Sequence, residues 1–358
     1  MTRERSSRRA FVRASARALA IGLASGSAAV SGGCAAPPPL PPKPAPVPPL
    51  ATSNLAELLP EPGLVWALRA RPRTIAQIPW LIPAIAAFAP EARLDAFLAT
   101  TGVDLRQVTE AWFATYDLGR GESSIQVFRH GADPALIERR FRERLSSNVE
   151  RIADRDDLVR LGGGIGPERH VMTLLGRDLV IFERGATARR GASALLSARA
   201  RGELRDVTSI ERSESLGPLL RRFGDAPLIA LSPGPLDSAL GSKPAGGGER
   251  SELGDLLAVS TGAGVGVRPT AREGIGIAVA VGGAFGDRAA QASEVLERSW
   301  SSLRKSELGR MLALDRDKGP ALPTHAADIA ALAVELDATG LAEGLRDLTE
   351  LDLRRLIE

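Results

Sequence analysis

The chain has 358 residues, 44% of them hydrophobic and 25% charged, with a formal net charge of +3. That composition excludes a mostly disordered chain, a collagen-like repeat and a polytopic membrane protein. A single cysteine, Cys34, rules out an intrachain disulfide and any cysteine-based zinc site.

The first 33 residues hold six arginines and one glutamate. The rest of the chain is therefore slightly acidic, which argues against a nucleic-acid partner. After the basic stretch come a weakly apolar run, residues 18–24, and then small residues, the order of an export leader. The run is far shorter than the ~20 residues a spanning helix needs. Ser7-Arg8-Arg9-Ala10-Phe11-Val12-Arg13 resembles the twin-arginine export motif through Arg8, Arg9 and Phe11. Ser31-Gly32-Gly33-Cys34 resembles a lipobox, with Ser31 standing where leucine is usual. Together these segments resemble the precursor of a bacterial lipoprotein. The resemblance implies export of an already folded domain, cleavage before Cys34, and acylation of its thiol with palmitate-like chains. It also implies a place in the cell envelope, anchored to a membrane and facing the periplasm or the cell surface. Nine of the fifteen residues 35–49 are proline. Such a segment favours an extended polyproline II spacer of roughly 45 Å, at ~3.1 Å per residue. Residues 1–33 thus read as a signal peptide, and 34–50 as lipidated cysteine and linker.

From residue 51 on, periodicity predicts a strand over 63–70, then a helical stretch over 75–88 interrupted by Pro79 and Pro83. A helix follows over 91–101. Strands 110–118 and 123–130 flank a glycine turn, the pattern of a hairpin. Asp133 caps a helix that starts at Pro134 and runs to Leu145. Strands are expected over 158–161, 170–175 and 179–182, and a helix over 187–200. The second half repeats this order: a strand over 227–232, a hairpin of 256–267 with 274–281, a long helix opened by Gly286-Asp287, a strand over 329–336 and a helix over 340–348. The expected class is α+β, with two similar units, 51–202 and 203–358, each an antiparallel sheet covered by helices. The mature chain resembles exported α/β lipoproteins with duplicated halves, a resemblance that implies no particular activity.

Strand 274–281 alternates two faces. Ile275, Ile277, Val279 and Val281 form one. Gly274, Gly276, Ala278 and Ala280 form the other, smooth enough for a helix to pack closely or for an apolar ligand to lie against it. These four small residues are the candidate ligand face.

Catalytic grammar is sparse. His130, His170 and His325 form no local metal pattern, and no metal or cofactor is expected. His170 is more readily a strand histidine than a catalytic one. Residues 162–166 are glycine-rich but precede Pro167 rather than a helix N-terminus, and read as a hairpin turn rather than a phosphate loop. Ser302-Leu303-Arg304-Lys305 matches SxxK without its companion motifs. Asp315-Arg316-Asp317 lacks the closing glutamate of a calcium loop. Arg189, Arg190, Arg199 and Arg201 lack interleaved acids and are set against two readings, a solvated helix or contact with anionic lipid headgroups. Trp66 and Trp112 read as core residues. The expected function is a non-catalytic, membrane-anchored binding or assembly module, with a protein partner or a small apolar ligand. The alternatives are a carrier or sensor of such a ligand between the halves, and a hydrolase whose site is assembled from distant residues.

Overall fold

The computed structural model describes residues 48–119, 121–185, 190–236, 252–271, 273–306, 309–310, 314–316, 319–340 and 342–343. The leader, Arg8, Arg9, Phe11, Cys34 and all but the last residues of the linker lie outside them, as does most of the helix expected over 340–348. From Pro48 onward the chain forms one compact unit.

Its frame is an antiparallel sheet of twelve strands. The chain enters through α1 (Leu55–Leu58), where Asn54 Oδ1 accepts the amides of Ala56 and Glu57 and so caps the first turn. Strand β1 (Leu64–Ala70) leads into α2 (Pro72–Ala76), a 3-10 turn at Pro79–Leu81, α3 (Ile82–Phe88) and α4 (Glu91–Thr101). Of the two prolines expected to interrupt this stretch, Pro79 opens the 3-10 turn and Pro83 is the second residue of α3, both within a first turn where a missing N–H costs nothing. The hairpin of β2 (Glu110–Asp117) and β3 (Glu122–Arg129) follows. Helix α5 (Pro134–Arg144) starts as the sequence dictates, with Asp133 Oδ1 accepting the Ala135 amide. A meander of β4 (Ser147–Arg155), β5 (Leu158–Ile165), β6 (Glu168–Leu175) and β7 (Leu179–Arg184) leads to α6 (Ala192–Ala200). The glycines at 162–164 lie inside β5, and the turn falls at Gly166 and Pro167.

The later half begins with α7 (Gly217–Phe223) and β8 (Leu228–Pro233). Residues 252–258 form a helix, α8 (Glu252–Ala258), where a strand beginning at 256 was expected. Leu253, Leu256 and Leu257 follow helical spacing behind two first-turn acids, and the strand proper starts after them. Then come β9 (Gly262–Pro269), β10 (Gly274–Gly282), α9 (Ala289–Lys305), β11 (Leu322–Ala326) and β12 (Ile329–Asp337).

The sheet is continuous across residue 202. Strand β1 pairs with β8, Ala67 opposite Leu231 through Ala70 opposite Leu228. Outward from this seam one side runs β1-β2-β3-β7-β6-β5-β4 and the other β8-β9-β10-β12-β11. The alternation of each strand divides the core. On one face α1, α6 and α7 cover a cluster that includes Trp112, Tyr116, Ile229 and Ala280. On the opposite face α4 and α5 cover Phe128, Met172 and Val180, while α8 and α9 cover Val281, Leu332 and Val334.

Candidate functional site

The four small residues of β10 belong to the α7 face. In register, Ala278 stands opposite Gly266 of β9, and Ala280 opposite Gly264. Phe223 of α7 lies on this smooth patch so closely that a Cβ on Gly264 or Gly266 would sit 2.6 Å from its ring. Ala280 is fully buried there and Ala278 packs against the same cluster. Gly276 faces Arg268, and Gly274 sits beside Thr270, whose hydroxyl donates to Glu335 Oε1 at 2.7 Å. The small residues thus let a helix approach the sheet.

The other face of β10 lines an open apolar groove of about 660 Å³. Val279 and Val281 join Val265 of β9, Ala230 of β8, and Trp66 and Ala67 of β1. Leu253 and Leu257 of α8, with Trp300 and Leu303 of α9, form the opposite wall. Among the described residues, no charged side chain lines it. Its two serines are turned to the backbone: Ser232 Oγ donates to Val65 O at 2.9 Å, and Ser299 Oγ to Val295 O at 2.7 Å. Trp66 was expected in the core. It is instead 43% exposed, with Val65 at 41% and Leu303 at 39%, whereas Trp112 is fully buried as expected. Strand β1 has an irregular register between Leu64 and Trp66. Leu64 belongs to the buried cluster on the α7 face, while Trp66 lines the groove on the other.

A second concavity, of about 960 Å³, lies beneath α4 and α5. Phe97, Phe141 and Phe182 meet in it, and Arg144, His170, Glu168, Arg184, Ser124 and Gln126 stand around them. Cross-strand register sets Arg184 opposite both Ser124 and His170. Glu168 pairs with Arg184, and its Oε2 is 3.7 Å from His170 Nε2, beyond hydrogen-bond distance. Burial, reinforced by Arg144, lowers the His170 pKa, while Glu168 opposes the shift. A histidine, a carboxylate and a serine therefore share this cleft, the combination that would favour hydrolysis. They are not wired for it. Ser124 Oγ lies 3.3 Å from Thr115 Oγ, and the Glu168 carboxylate is engaged by a guanidinium. A nucleophile needs its base within hydrogen-bond reach.

Of the other singled-out groups, Arg189 and Asp317 lie outside the described residues, and the following have structural places. His130 is buried, its Nδ1 accepting the Ala132 amide at 3.2 Å, and His325 is exposed on β11. Arg199, read as a possible headgroup ligand, is held by the carbonyls of Leu204, Val207 and Glu57, and Arg201 pairs with Glu203. Ser302 and Lys305 end α9. Among the described residues, no group of three or more His, Cys, Asp or Glu side chains is placed to hold a metal ion, and no helix is long and apolar enough to cross a membrane. Sequence reasoning missed the Phe97–Phe141–Phe182 assembly, because only the sheet register and two helices bring these residues together.

No family model and no curated protein matches the chain. Among solved structures, crystal form I of TP0453 is similar over 83% of this chain and 98% of its own, with a TM-score of 0.44 and 10% identity.

Proposed function

We propose that the protein is an exported, membrane-anchored lipoprotein whose domain acts as a non-catalytic binding module for a small apolar ligand, held in the groove between the central strands and α8–α9. The groove itself carries this reading: about 660 Å³ of open volume with two tryptophans and, among the described residues, no charge on its walls. That volume is on the scale of small-molecule sites. Its chemistry suits an alkyl or isoprenoid chain, each buried methylene contributing about 0.8 kcal/mol before the cost of association. The anchor rests on the Arg8-Arg9-Phe11 and Cys34 motifs of the leader. The proline-rich segment then serves as the stand-off between membrane and domain. The mirrored strand order on either side of the β1–β8 seam supports an origin by internal duplication, with β4 and β5 as an addition to the first half. Trp66 and Ala67 come from that half and the remaining groove residues from the second, so the ligand would lie across the join.

The test uses the domain from Pro48 onward and 9,10-dibromostearate, whose bromines quench indole fluorescence only at contact. Trp66 and Trp300 line the groove, whereas Trp112 is sealed in the opposite core. Saturable quenching is expected, and it should vanish in a Trp66→Phe/Trp300→Phe double variant. Absence of quenching, or quenching that survives in the double variant, would overturn the assignment. A protein partner in place of a lipid would appear as saturable complex formation blocked by Leu303→Arg without any effect of dibromostearate.

A further inference from the structure

We propose that the cleft beneath α4 and α5 is a second, independent binding site, for a small organic oxyanion carried on a flat apolar body. It shares no lining residue with the apolar groove and does not depend on that assignment.

Two features meet there. The first is aromatic. Phe182 of β7 lies 5.9 Å from Phe141 of α5 and 6.1 Å from Phe128 of β3, which in turn meets Phe97 of α4 edge-on at 5.8 Å. Phe97, Phe141 and Phe182 are the three that reach the cleft. Nine phenylalanines serve the whole chain, so assembling three of them at an open cleft is a concentrated use of a scarce side chain.

The second is charge. Arg144, the last residue of α5, has a partly buried guanidinium with no hydrogen-bond or ion-pair partner among the described residues. Burial lowers its pKa with no carboxylate to oppose the effect. Arg69, also partly buried on the sheet, by contrast donates from its guanidinium to the carbonyls of Gly224 and Ala226. Below Arg144, the register aligns Ser124, Arg184 and His170 across three strands. Glu168 engages Arg184, and Glu122 lies at the rim, while Arg93 and Arg169 add positive charge there. Glu183 also borders the cleft, but its carboxylate is bound to the start of α6. What remains among the described residues is the unpaired, partly buried donor fork of Arg144, a polar strand surface at Ser124 and Gln126, and aromatic side chains. A guanidinium fork matches a carboxylate or phosphate edge bidentately. The phenylalanines match a ring attached to it. The interleaved acids make the cleft a poor seat for a polyanion such as nucleic acid.

Phenyl phosphate is the probe, with inorganic phosphate and phenol as its two halves, titrated calorimetrically into the domain from Pro48 onward. Saturable binding of phenyl phosphate is expected, with each half-probe weaker by about tenfold or more. Arg144→Gln should weaken phenyl phosphate by about tenfold or more without changing the melting temperature. Gln126 is exposed and makes no side-chain hydrogen bond, so Gln126→Glu should fold normally and weaken binding by repulsion. Leu303→Arg, in the other groove, should leave it unchanged. No saturable binding, or equal affinity in wild type, Arg144→Gln and Gln126→Glu, would overturn the proposal.

Discussion

Removing the Glu183 side chain is the most direct test of how the sheet holds α6. Glu183 is 2% exposed on β7, and its carboxylate is surrounded by donors. Oε1 accepts the Ala192 amide at 2.6 Å and the Ser123 hydroxyl; Oε2 accepts the Ser193 amide at 3.1 Å and the Ser193 hydroxyl. The residue before α6, Gly191, offers no capping side chain, so a strand carboxylate does the capping. In Glu183→Ala the hydroxyls can turn elsewhere, but two buried amides lose their acceptor at about 1–3 kcal/mol each. Release from burying a carboxylate offsets part of this. A net loss of about 3 kcal/mol follows. In Glu183→Gln one amide must face an NH₂ group, and about half that loss is expected. The pH dependence has a definite sign. Burial raises the carboxyl above its ordinary value, outweighing the four hydrogen bonds that oppose it. Its contribution is therefore complete below the unfolded value of about 4.3 and declines as pH rises through the higher folded value. The margin of wild type over Glu183→Gln should shrink with rising pH. Urea unfolding at several pH values measures all of this. A loss below about 1 kcal/mol for Glu183→Ala, or a margin that grows with pH, would refute the capping argument.

Gly266→Ala should destabilise the domain by about 1–3 kcal/mol, because the new methyl meets the Phe223 ring; dibromostearate binding on the opposite face should be unaffected. The His130 imidazole, pushed down by burial against the pull of Asp178, should titrate below 6.5 by NMR. Since the folded state then binds fewer protons, stability should fall as pH drops through 6.5; a midpoint above that value would refute the assignment. Cys34→Ala should move the protein from the membrane to the soluble fraction with its melting temperature unchanged, and Arg8→Lys with Arg9→Lys should leave precursor in the cytoplasm. Membrane retention in the first case, or normal export in the second, would remove the corresponding part of the proposed anchor.

Much of the fold was legible because local chemistry agreed with the tertiary outcome. The β2–β3 turn, the Asp133-Pro134 start of α5 and the amphipathic α9 all carry their own signals. Several elements escaped, β4 (Ser147–Arg155) among them. Helix α8 hid in a leucine-rich run that continues into β9. Strand β11, exposed at all five positions, has no apolar alternation to read. Helix α7 is seven residues long and depends on the glycines of β9 for its seat. The proposed binding surfaces were less legible still. The small face of β10 was visible, but its occupant, Phe223, lies over fifty residues away in sequence. Trp66 lines the open groove, which its sequence neighbours do not announce, and the opposition of Arg184 and His170 is a property of sheet register alone.

The seam between β1 and β8 has a consequence for the life of the nascent chain. Residues 64–70 find their second neighbour only when residues 228–233 have been made. A chain halted in between presents β1 as a raw edge, its amides and carbonyls free to recruit another unfinished copy. The groove side of that edge also carries Trp66, which would add adhesive surface to each such encounter. Truncation after the first half is thus a recipe for aggregation rather than a way to obtain a minimal domain. Completion of the second half acts as an intramolecular chaperone for the first.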